Sequence, residues 1–134
     1  MISLSQAGYI HDILIKTFGG SNGIRNVDLL QSALQRPYST FEGKDLYNSP
    51  IKKAAALIES ILNNHPFIVL KERIYIIDGN KGTGYVLMRL LLLEHGLDIE
   101  ASQEDKYLFV IKLASGKINY NDAVFWLNNH IVNI

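Results

Sequence analysis

The stretch 86–93 narrows the fold more than any other part of the chain. Its residues are Val86, Leu87, Met88, Arg89, Leu90, Leu91, Leu92 and Leu93, so a single charge interrupts an otherwise apolar run. Asp78-Gly79-Asn80 stands before it and Gly96 after it. That punctuation predicts a helix over 80–95 with a glycine stop. A helix apolar on almost every side has to be enclosed by its neighbours, which places it at the centre of a bundle. The apolar run 85–93 is too short to cross a bilayer, which takes about 20 residues.

The surrounding sequence supplies the enclosing helices. Ile10, Ile13, Leu14 and Thr17 share one helical face, and Gly19-Gly20 stops that helix. Asn26 or Asp28 caps a second, with Val27, Leu30, Ala33 and Leu34 inward and Pro37 at its end. Residues 38–48 have no helical period and predict a loop or a short hairpin. Ser49-Pro50 opens a third helix, and Ile51, Ala54, Ala55, Ile58, Ile61 and Leu62 form its stripe. It ends at His65-Pro66, because a residue before proline is pushed out of the α region. Ser102 and Asp105 open the fifth helix, with Tyr107, Leu108, Val110, Ile111 and Ala114 inward. Asn119 or Asn121 caps the sixth, with Ala123, Val124, Leu127 and Ile131 on one face. The expectation is an all-α six-helix bundle. Residues 68–77 are the misfit: their β-branched, apolar composition predicts a short β-hairpin around a 71–73 tip, with a continued helix as the alternative.

Composition bounds the function classes. The 134 residues suit one domain over 1–134, and 48% of them are apolar. Thirteen Lys and Arg balance thirteen Asp and Glu, which argues against a nucleic-acid binder acting by itself. There is no cysteine, so thiol nucleophiles, disulfides and cysteine zinc sites are excluded. No basic segment followed by an apolar run marks the N-terminus. A soluble cytoplasmic protein with no membrane association is expected.

Asp78-Gly79-Asn80-Lys81 carries the sharpest chemical signal. The first N–H groups of a helix favour an anion, and glycine lets a ligand approach the backbone. Lys81 adds a positive charge, and Asp78 offers oxygen to a hard cation such as magnesium. An ordinary turn with an N-cap is the commoner meaning of these four residues taken alone. The run 79–84 lacks the spacing of a P-loop. His65, at a helix end, is a candidate general base or a cap on the helix dipole. His11, His95 and His130 stand on separate helices without metal-ligand spacing and are expected to be surface or packing residues.

Taken in order, these stretches resemble the death-on-curing (Doc) branch of the Fic-domain family: Phe18-Gly19-Gly20, Gly23-Ile24-Arg25, Leu29-Leu30, Ser32-Ala33-Leu34-Gln35-Arg36-Pro37, Asp45-Leu46-Tyr47, Lys53-Ala54-Ala55-Ala56-Leu57 and Asn64-His65-Pro66-Phe67. The family signature, His-Pro-Phe-x-Asp-Gly-Asn-Lys-Arg-Thr, is present in two pieces: His65-Pro66-Phe67-Ile68, then Asp78-Gly79-Asn80-Lys81-Gly82-Thr83. The resemblance implies a toxin of a toxin–antitoxin pair. Such a toxin transfers a phosphoryl group from ATP to a hydroxyl of elongation factor Tu and stops translation. It further implies His65 as the base for that hydroxyl, Asp78 as the magnesium ligand, and Gly79, Asn80, Lys81 and Thr83 around the nucleotide. Lys81 is the phosphate contact that marks the Doc branch. A cognate antitoxin and the translation factor are the implied partners.

The chain departs from the pattern twice. Gly82 replaces the family's arginine, removing a guanidinium that would grip phosphate. The insertion at about 68–77 sets His65 thirteen residues from Asp78, where the family has four. A catalytically impaired Fic-fold binding module and an AMP transferase are the alternatives to a protein kinase. The apolar insertion also offers an edge for a homodimer.

Overall fold

A computed structural model describes residues 1–19, 23–64, 66 and 79–134. The expected hairpin at 68–77 lies outside these residues. The fold is all-α, as the sequence predicts, with six helices among the described residues: α1 (Leu4–Phe18), α2 (Val27–Gln35), α3 (Pro50–Asn64), α4 (Gly79–Leu93), α5 (Gln103–Ala114) and α6 (Tyr120–His130). No helix among the described residues is long and apolar enough to cross a membrane.

Side chains define most of the helix starts. Asn26 accepts from the Leu29 amide, Ser102 from Asp105, and Asn119 exchanges bonds with Asp122 in a capping box. Ser3 does the same with Gln6, and the Ser49 hydroxyl accepts from Lys52 at 3.2 Å. Each cap contributes about 1 kcal/mol by satisfying N–H groups that the helix cannot.

α4 forms the centre. Leu87, Met88, Leu91 and Leu92 are sealed from solvent, and α3 lies against them with Ala54, Ala55, Leu57, Ile58, Ile61 and Leu62. Gly84 makes this approach feasible. A Cβ there would stand 3.1 Å from Ile61 Cγ2 and 3.7 Å from Ile58 Cγ1. Since Gly84 is in the second turn of α4 and Ile61 in the last turn of α3, the end of α3 and the start of α4 sit side by side. Ile99, Phe109, Val110, Leu113, Ala123 and Leu127 join the same core, so residues after α4 extend this domain's interior.

Arg36 secures the region before α3. It occupies a 3-10 turn (Arg36–Tyr38). Its guanidinium donates to the Tyr47 hydroxyl at 3.0 Å, the Ser60 hydroxyl at 2.9 Å and the Glu59 carboxylate at 2.9 Å. The 38–48 region contains the short hairpin named as one option: β1 (Thr40–Phe41) pairs antiparallel with β2 (Lys44–Asp45). Its turn uses Glu42 at φ 52° and Gly43 at φ 77°, the positive angles that two-residue hairpins need.

Several expected faces are corrected. The buried line of α1 is Ala7, His11 and Ile15, while Ile13 and Thr17 are exposed. His11 is accommodated there because a polar partner on α4 meets it. α5 buries Phe109, Val110 and Leu113 and exposes Tyr107 and Leu108. Phe109 turns inward to stack on Trp126 of α6, with ring centroids 4.2 Å apart. Val27 of α2 is exposed. Ile131, expected on α6, belongs to β4 (Ile131–Asn133), which pairs antiparallel with β3 (Leu97–Ile99) in register Asp98↔Val132. The central helix is also open on one side. Exposed Arg89 donates to both carboxylate oxygens of Asp98, at 2.8 and 2.9 Å, and so ties β3 to α4.

Two outcomes follow from this packing. Gly84→Val should lower the unfolding free energy by about 1–3 kcal/mol through overpacking. Combined with Ile61→Ala, it should cost less than the sum of the two single losses in urea unfolding. The Arg89 fork, with help from the Ile99 amide, holds the Asp98 carboxyl at about 2, below its ordinary 3.8. A depressed carboxylate stabilises the fold above its unfolded value and loses that contribution as pH falls through its folded value. Between pH 4 and 2, wild-type stability should therefore fall more steeply than that of Asp98→Asn, as read by thermal melts across that window.

Candidate active site

Near its start, α4 is met by α1 and by the end of α3. Gly79 begins the helix, Asn80 and Thr83 in its first turns are fully buried, and Lys81 and Gly82 are half-buried. The first N–H groups of such a helix have no acceptor within it and carry the positive end of its dipole. From α1, the ring of His11 reaches this turn, with Nδ1 3.1 Å from Thr83 Oγ1. His11 and Thr83 are both sealed from solvent. A buried hydrogen bond of this kind fixes the rotation of α4, because any roll of the helix would strand two polar groups.

The end of α3 faces the same region. The Asn64 amide donates to the Leu29 carbonyl of α2 at 3.3 Å. The Arg25 side chain donates to the Asn64 carbonyl at 2.8 Å. The Pro66 carbonyl accepts from the Arg25 and Asn26 amides at 2.7 and 3.2 Å. Asn64, the last residue of α3, and Pro66 are thus held against the segment that opens α2.

The first 92 residues match the model of the Fic/DOC family. The chain belongs to the Fic/Doc family. It is also 34% identical over 84 residues to a protein named Toxin Doc from Mycolicibacterium smegmatis (strain ATCC 700084 / mc(2)155). That match takes in 63% of this chain and 58% of the mycobacterial protein, so it spans less than two thirds of the relative's length. The matched residues include the last turn of α3 and the first turns of α4, the two ends that Gly84 brings together.

The expected Fic/Doc site residues are distributed as follows. Gly79, Asn80, Lys81 and Thr83 stand together in the first turns of α4. His65 and Asp78 lie outside the described residues. Thr83, expected beside the nucleotide, turns its hydroxyl to His11 in the interior. Among the described residues no group of three or more His, Asp or Glu could hold a metal ion, and the expected magnesium ligand, Asp78, is not among them. His95 is exposed with Nδ1 2.9 Å from the Leu91 carbonyl, and His130 stacks on Trp126. His11, expected as a surface or packing residue, is a packing residue with a specific polar partner, and Arg25 carried no expected role. The spacing Ala7, His11, Ile15 was the available signal for the first, and Gly23-Ile24-Arg25, matched to the family without a role, for the second.

Thr83→Val keeps the side-chain shape and deletes the hydroxyl. It should lower stability by about 1–3 kcal/mol, because a buried imidazole loses a partner. Thr83→Ser should stay close to wild type in the same denaturant titration.

Proposed function

We propose that this chain is a Doc-type toxin that transfers the γ-phosphoryl group of ATP to a hydroxyl of a translation factor resembling elongation factor Tu. The observation that carries the reading is the family match over residues 1–92, together with Gly79, Asn80, Lys81 and Thr83 in the first turns of α4. The donor set suits the substrates. Asp78 offers oxygen of the kind magnesium takes, and Lys81 and the α4 amides offer positive charge to phosphate. Buried Asn80, at the helix start, gives that turn a fixed polar side chain.

In this reading His65 accepts the proton of the attacking hydroxyl. Lys81 and the Gly79–Asn80 backbone hold the phosphate oxygens. Asp78 would hold magnesium, which supplies charge neutralisation across the phosphates. Little covalent work falls to the protein, since phosphoryl transfer rests on positioning and charge. His11 and Thr83 serve by keeping α4 in one orientation.

Gly82 and the thirteen-residue spacing of His65 and Asp78 favour a second reading, a binding module with impaired transfer. A Doc-type toxin also requires a cognate antitoxin. Tyr9 and Ile13, exposed one turn apart on α1, offer apolar area to such a partner. The segment 68–77 is proposed as a homodimer contact, tested by light scattering of a deletion variant. Cytoplasmic action follows from the proposed target.

Purified protein mixed with elongation factor Tu, magnesium and ATP labelled at the γ position should label the factor. ATP labelled at the α position should not, and an α-label outcome assigns an AMP transferase instead. His65→Ala should abolish transfer and relieve growth arrest on expression without antitoxin. Gly82→Arg should raise transfer and, by replacing a helical glycine, add about 1 kcal/mol of stability. Absence of transfer together with normal growth would establish the binding-module reading.

A further inference from the structure

α5 and α6 border a groove that the proposed transfer chemistry does not use. The short connection 115–119 folds α6 back along α5, and Phe109 stacks on Trp126 between them. The groove beside this stack holds about 470 Å³, and its apolar lining is Leu108, Phe109, Ile118, Phe125 and Trp126. Phe125 is 71% exposed and Leu108 39%. All of these residues lie beyond position 92, where the family match ends. Large apolar side chains left in water beside a concave apolar floor mark a contact surface.

The charges around the groove indicate what fits it. Asp105, Leu108 and Lys112 follow the i, i+3, i+7 spacing of one helical face, and all three are exposed on α5. An acid thus stands about one turn before Leu108 and a base about one turn after it. Glu104 extends the acidic end, and Lys117, which also lines the groove, extends the basic end. Neither Asp105 nor Lys112 has a salt bridge among the described residues, while the Asp122 carboxylate already accepts from the Asn119 amide at 2.9 Å. A face of one sign would call for a partner of the other sign. This face carries both signs at opposite ends of an apolar centre, so its complement is the same face turned end for end. The chain's formal net charge of zero adds no overall repulsion between copies.

We propose that the α5–α6 face is a docking surface for a second copy of this chain, closed by a two-fold axis near Leu108 that sets Asp105 of each copy against Lys112 of the other. Such a contact is isologous, so the ion pair forms twice and the two Leu108 side chains meet between the pairs. Antiparallel α5 helices supply the arrangement, because the midpoint of positions 105 and 112 falls between 108 and 109. Phe125 of each copy is covered by the other. The contact is independent of the transfer reading and separate from the segment 68–77.

Sedimentation equilibrium of the purified full chain at low ionic strength, from low micromolar to millimolar concentration, tests the contact. The wild type should pass reversibly from monomer to dimer. Asp105→Lys and Lys112→Asp each make both pairs repulsive and should raise the dimer Kd at least about tenfold. An equal mixture of these two variants should dimerise again, because every pair across that interface is once more opposite in charge. The double variant Asp105→Lys, Lys112→Asp should also recover the dimer. Phe125→Ser, at an exposed position, should weaken the dimer about tenfold while the melting temperature holds. A wild type that stays a monomer throughout overturns the proposal and leaves the groove to a different partner. A dimer that none of these variants weakens overturns it as well. So do single variants that melt like the wild type and fail to associate when mixed. Where a charge reversal lowers the melting temperature, Phe125→Ser and salt decide: added salt should loosen the wild-type dimer, and a dimer indifferent to both overturns the proposal.

Discussion

The close approach of α3 and α4 at Gly84 is the contact on which the rest of the molecule depends. With Ile61 Cγ2 only 3.1 Å from where a Cβ would stand, the two helices touch almost backbone to side chain. Interiors are packed at crystal-like density, so such a contact has no slack to share out. It aligns the last turn of α3 with the first turns of α4. Of the candidate site residues, Gly79, Asn80, Lys81 and Thr83 stand on those first turns of α4. The aliphatic layers of both helices extend from this contact, and α1, α2, α5 and α6 cover what the pair leaves exposed.

The ends of the helices were legible in the sequence because their causes are local. Asn26, Ser49, Ser102 and Asn119 sit where a side-chain oxygen can reach an amide three residues on, and a proline or glycine marks several of the stops. The inward faces were legible where the stripe was long, as in α3, and misplaced where apolar residues circle the helix. α5 carries Tyr107, Leu108, Phe109, Val110 and Ile111 in succession, and only the stacking partner Trp126 decides that Phe109 goes inward. β3 and β4 are three residues each and lie far apart in the chain, so neither could announce itself without the other.

The candidate site divides in the same way. Its helix start was readable from Asp78-Gly79-Asn80-Lys81, because turn, dipole and charge all follow from adjacent residues. Its supports were not. His11 looked like any histidine on an apolar face until Thr83 was brought to it from another helix. Arg25 and Asn26 act on carbonyls, and a carbonyl has no signature in sequence.

The His11–Thr83 bond joins residues 72 positions apart. Closing so long a loop costs entropy before the contact returns anything, and contacts of that kind form after local ones. The pair therefore belongs to the late part of the folding route, once α3 and α4 are already associated. Interactions absent from the transition state act on the rate of unfolding and leave the rate of folding almost untouched. In this protein the polar pin behind the helix start thus acts on the lifetime of the folded state, with little bearing on how quickly it forms.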